Sequence, residues 1–127
     1  MCQDNACPQC QNCNLPDDQD IQNGDVLWRR INPDWVKDGR VTTQAFQNYP
    51  GTNNMSSHLS RITTTELALA GLPGYTLVGF TAELARNCRQ AVALDPTCDD
   101  PSHTAIIGDK PKGIRNTFRN NLIHVNI

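Results

Sequence analysis

Aromatic residues and long apolar runs are both scarce in this sequence. Among 127 residues there are three Phe, two Trp and two Tyr, and hydrophobic residues make up 38%. The core must therefore be mostly aliphatic, and the length fits one core. No apolar run approaches the roughly 20 residues a membrane-spanning helix needs. The first residues offer neither a basic n-region nor an apolar h-region. These absences predict a cytoplasmic chain with no membrane partner. Excess positive charge is also missing: eleven Lys and Arg stand against thirteen Asp and Glu, a formal net charge of -2. That excludes the bulk field of a protein held to nucleic acid by phosphate contacts alone. There is no P-loop, Rossmann fingerprint, G-x-S-x-G elbow or internal repeat.

What is plentiful is cysteine near the start. Four of the six cysteines fall in the first thirteen residues, spaced Cys2-x4-Cys7-x2-Cys10-x2-Cys13. A C-x2-C step turns the chain back so that two thiolates reach one ion, each sulfur about 2.3 Å from it. In a reducing compartment tight spacing points to metal more than to structural disulfides. The expectation is a structural zinc held by Cys2, Cys7, Cys10 and Cys13, which would order a stretch too polar to order itself. C-x2-C-x2-C is also the spacing of three ligands in bacterial ferredoxin-type clusters. An iron–sulfur cluster completed by Cys88 or Cys98 is thus the alternative, and disulfides among the six cysteines are a third. Cys88, on an apolar helix face, reads as core.

Residues 14–25, NLPDDQDIQNGD, are polar and acidic and read as a linker, which divides the chain into a segment 1–25 and a compact domain 26–127. VLWRRI reads as the first strand, with NPDW and KDGR as turns. QNYPGTNNMSSH, residues 47–58, shows no periodicity and reads as a long exposed loop of the kind that often carries function. Thr63 and Glu66 form a capping box for a short helix TTELALA. YTLVGF follows as a strand, Thr81 caps the helix AELARNC, and QAVAL and TAIIG are further strands. Asp109 is placed to cap a helix from about Lys110, with Pro111 in its first turn. The tail LIHVNI alternates as a terminal strand. The expected fold class is α+β, a small mixed sheet covered by short helices, with the cysteine-rich metal-binding segment at its N-terminus.

Chemistry outside the cysteines is sparse. His103 precedes an apolar strand with Asp95, Asp99 and Asp100 close in sequence, a setting for a general base or metal ligand. His58 stands among Ser56, Ser57 and Ser60. Arginine in an early strand (Arg29 or Arg30), serines in SSHLS and the later Glu83 resemble the Arg, Ser, Glu order of ADP-ribosyltransferases. That resemblance implies an enzyme using the Arg29 and Glu83 pair, although a paired-acid loop is missing. Beyond Asp109 the chain holds Lys110, Lys112, Arg115 and Arg119 and no acid, a basic face for a protein or nucleic-acid partner. With no catalytic set standing out, the expectation is a non-catalytic interaction module or accessory subunit carrying zinc. An iron–sulfur redox accessory is the first alternative, and a small enzyme (a hydrolase or ADP-ribosyltransferase-like) using His103 or Arg29 with Glu83 is the second.

Overall fold

The computed structural model of the protein describes residues 15–126. Eight strands run β1 (Val26–Ile31), β2 (Val36–Lys37), β3 (Arg40–Val41), β4 (Asn54–Leu59), β5 (Thr76–Thr81), β6 (Ala91–Leu94), β7 (His103–Ile107) and β8 (His124–Asn126). Three short helices, α1 (Thr65–Ala68), α2 (Ala82–Asn87) and α3 (Lys112–Asn120), join them with 3-10 turns, one at Thr43–Phe46. Six strands form one sheet in the order β6-β7-β4-β1-β5-β8, with every pairing antiparallel. The fold is mixed α+β, with the sheet dominant.

Alternation sets the core. Leu27 pairs with Phe80 and Arg29 with Val78, so β1 and β5 turn one common face inward. Leu27, Ile31, Val78 and Phe80 are fully buried there with Met55, Leu59, Val92 and Ile106 from the neighbouring strands. Helix α3 closes this face through one aromatic anchor: Phe118 stacks on Phe46 (centroids 5.8 Å apart) and meets Phe80 edge-on at 5.0 Å. Thr81 caps α2 as expected, its Oγ1 accepting from the Leu84 amide at 3.1 Å. Asp38 and Gly39, both at positive φ (54° and 76°), make the two-residue turn of the β2–β3 hairpin.

Four local expectations need correction. The loop foreseen over 47–58 ends at residue 53; Asn54–Leu59 is β4, in the middle of the sheet. Its inward positions are Met55, Ser57 and Leu59, and Ser57 is fully buried because its Oγ donates to the Thr104 carbonyl at 3.1 Å. A hydroxyl satisfied by the neighbouring strand looks in sequence like a loop residue. The acidic stretch foreseen as a linker is held against the fold: Ile21 is only 2% exposed and belongs to the core, and Arg86 donates to the Asp18 and Ile21 carbonyls. The cap of α1 is Thr64, whose Oγ1 accepts from the Leu67 amide, not Thr63. Finally, α3 starts at Lys112 with Pro111 at its cap rather than Asp109. The terminal strand is present, with His124, Val125 and Asn126 pairing to β5.

Candidate functional site

β1 and β4 are six residues long, yet they pair only at Leu27 with Leu59 and at Trp28 with His58. Beyond His58 the ladder stops, and Arg29 fills the opening. Its Nη1 donates to the Ser56 carbonyl at 2.9 Å and to Ser56 Oγ at 3.2 Å, while Nε donates to the Ala45 carbonyl at 3.0 Å. Trp35 lies against the guanidinium, 5.4 Å from Cζ to the ring centroid. Among the described residues Nη2 meets no acceptor and no carboxylate pairs with this arginine. Burial lowers its pKa to about 10, so the charge persists at neutral pH in a desolvated place.

The opening is a cleft of about 440 Å³, room for a small ligand and not for a polymer. Arg29, Asn48, Tyr49, Asn54, Ser56 and His103 are among its lining residues, and no acid lines it among the described residues. Asn54 is 5% exposed and its buried Oδ1 has no hydrogen-bond partner. A buried amide oxygen left unsatisfied costs on the order of 1–3 kcal/mol. Tyr49, by contrast, stands 63% exposed at the rim.

His103 enters from β7, directly opposite His58 on β4. Its Nδ1 lies 3.0 Å from the Asp95 carbonyl and 3.6 Å from Asp95 Oδ2. A carbonyl only accepts, so Nδ1 carries the proton and the neutral ring keeps its lone pair on Nε2. That tautomer is the one a proton acceptor needs. Burial raises the pKa of Asp95, a shift that positive charge on His103 opposes when that ring is protonated. Behind His103, His58 is 3% exposed with its Nδ1 2.7 Å from Asp100 Oδ2, and the two imidazoles meet edge-on at 6.0 Å. Burial lowers the pKa of His58 against the pull of Asp100. Burial also opposes ionisation of Asp100, but its bonds with His58 and Ser102 win and hold its carboxyl well below the usual carboxylate range. Asp100 is therefore ionised, and His58 is the neutral donor to it.

The structure brings together part of what the sequence singled out. Arg29, Ser56 and His103 line one cleft. Arg30 points to the opposite face of β1, where its Nε donates to the Ala68 carbonyl. Glu83 is exposed in the first turn of α2 and does not line the cleft. The four C-terminal cations are placed very differently from one another. Lys110 is 8% exposed, and its ammonium donates to Asn48 Oδ1, the Ile106 carbonyl and the Gly108 carbonyl. Arg115 and Arg119 each direct Nε to a backbone carbonyl, those of Lys110 and Val41. Lys112 is exposed. Cys88 is a buried free thiol whose pKa burial raises. Cys2, Cys7, Cys10 and Cys13 lie outside the described residues, and among those described no group of three or more His, Cys, Asp or Glu is arranged to hold a metal. Sequence reasoning did not single out Trp35, Asn48, Tyr49 or Asn54; the one signal for the last three was the amide-rich run QNYPGTNN.

Compared with known proteins, the chain matches no family model, no curated protein and no solved structure.

Proposed function

We propose that the chain binds a small anionic ligand in the cleft between β1 and β4, with His103 placed to take a proton from it. One observation carries this reading: a half-buried guanidinium whose Nη2 edge meets no acceptor among the described residues, in a cleft that no described carboxylate lines. Desolvating a charge is costly unless something compensates it. Here the protein supplies carbonyls and an indole face, and an anion supplies the missing charge. Ser56 Oγ accepts from Arg29, so its own proton is free to donate to the ligand. Nε2 of His103 is the base. This reading develops the small-enzyme alternative with Arg29 and His103 in it and leaves Glu83 outside.

Isothermal titration with inorganic sulfate tests the reading. Arg29→Gln should weaken binding by about 10- to 100-fold, the range for losing hydrogen bonds to a charged group. Arg29→Lys should recover little of it, because a lysine lacks the planar fork. Unchanged affinity in Arg29→Gln overturns the reading. A structural zinc on Cys2, Cys7, Cys10 and Cys13 stands as a separate proposal, supported by the spacing of those cysteines alone. Elemental analysis of the purified chain tests it.

A further inference from the structure

The anion site has a second positive charge behind it. Arg29 reaches Ser56 on β4, whereas Lys110 reaches the carbonyl of Ile106 on β7. Ile106 pairs with Met55, the residue beside Ser56. Asn48, which like Arg29 lines the cleft, ties Lys110 to its wall: its Oδ1 accepts from Lys110 Nζ and its Nδ2 donates to the Gly108 carbonyl. Lys110 has no carboxylate partner among the described residues, and all three of its N–H bonds end on neutral oxygens. Two partly desolvated cations therefore share one corner of the fold, and among the described residues no acid lines the cleft beside them.

We propose that the cleft is built for a tetrahedral dianion, a phosphoryl group, which touches Arg29 and is balanced at a distance by the ammonium of Lys110. The inference rests on the cleft reading above and specifies its ligand. A singly charged carboxylate would neutralise the guanidinium and leave the ammonium uncompensated; a dianion neutralises both. Lys110 does not touch the ligand, since its protons are committed. It acts through its field and by fixing Asn48 at the cleft wall.

The charged groups around Lys110 agree with this assignment. Arg29 from β1 opposes its protonation and Asp109, on its own segment, favours it, while burial dominates and lowers its pKa to about 7. Arg115 from α3 meets Lys110 only at its backbone carbonyl, and His103 is the titratable group that β7 turns into the cleft. A dianion at Arg29 favours the protonated ammonium, so the second charge is fullest below pH 7.

Calorimetric titration of the whole chain at pH 6 and constant ionic strength tests the proposal, with sulfate compared against methyl sulfate, which has a similar head and one charge fewer. Sulfate should bind about tenfold tighter or more, the order expected for one extra unit charge at short range in a partly desolvated site. Lys110→Met removes the second cation. Because that side chain is buried and its replacement also removes packing, Asn48→Asp is the parallel variant: it keeps the shape and gives the ammonium a carboxylate. In either variant the ratio of sulfate to methyl sulfate affinity should fall toward one. Equal affinities in the unaltered chain, or a ratio unchanged in Asn48→Asp, overturn the dianion proposal. If both anions bind equally and Arg29→Gln abolishes both, the cleft reading survives and only the dianion falls; if neither binds, both fall. Phenyl phosphate binding more tightly than sulfate would assign the dianion to an ester whose ring rests on exposed Tyr49. Binding no tighter would assign it to the free ion, and either result upholds the dianion.

Discussion

At the scale of single residues, Lys110 joins stability to pH. An unfolded lysine titrates near 10.5, and burial brings the folded one to about 7. Between those values the unfolded chain holds the extra proton, so stability rises with pH. The cost of burying the ammonium is present below about 7 and is relieved progressively toward 10.5. Denaturation midpoints should therefore climb between pH 7 and 9, and Lys110→Met should flatten that climb; chemical denaturation at a series of pH values measures it. No sequence cue foretold this, because a lysine in a terminal basic run reads as a surface charge. Its burial depends on carbonyls that β7 and the Gly108 turn supply. Arg29 was legible only as one of two neighbouring arginines. What separates it from Arg30 is the alternation of β1, which turns Arg29 toward the cleft and Arg30 toward the end of α1.

At the scale of elements, those with a local signal were readable. β1, β5, β6, β8 and α2 carry an alternating pattern or a cap in their own residues. β4 was not readable, because its inward serine is satisfied only by a strand 47 residues further on. The cleft was hidden for a related reason: it exists because β1 and β4 part after two paired positions, and no local pattern encodes that divergence. Helix α3 shows how little contact an element can depend on. Its one buried residue is Phe118, enclosed by Phe46 and Phe80. Phe118→Ala should cost about 3–5 kcal/mol, read as a lowered midpoint in urea. Because the Thr43–Phe46 turn also supplies the Ala45 carbonyl to Arg29, sulfate affinity should weaken in the same variant.

At the scale of the whole molecule, the stretch from Asp17 to Asp25 turns out to be structural. Arg86 gathers it with bonds to Asp17 Oδ1, the Asp18 and Ile21 carbonyls and Asn23 Oδ1. A single buried isoleucine among acids gives almost no periodic signal, which is why composition alone reads as a tether. Ile21→Ala should destabilise the chain by about 2–5 kcal/mol; a value near zero in equilibrium unfolding would mean the segment adds nothing to the core.

The same stretch has a second effect at the margin of the sheet. Asp18 donates its amide to the Val92 carbonyl at 2.8 Å, and Asp17 Oδ1 accepts the Val92 amide at 2.9 Å. The outward polar groups of Val92 are thus occupied from within the chain, where a stranger's strand would otherwise find a template. Losing the Asp17 carboxylate would free the Val92 amide at the margin of the sheet while the Asp18 amide still covers the Val92 carbonyl, so one acid both fastens the segment and blunts an edge donor.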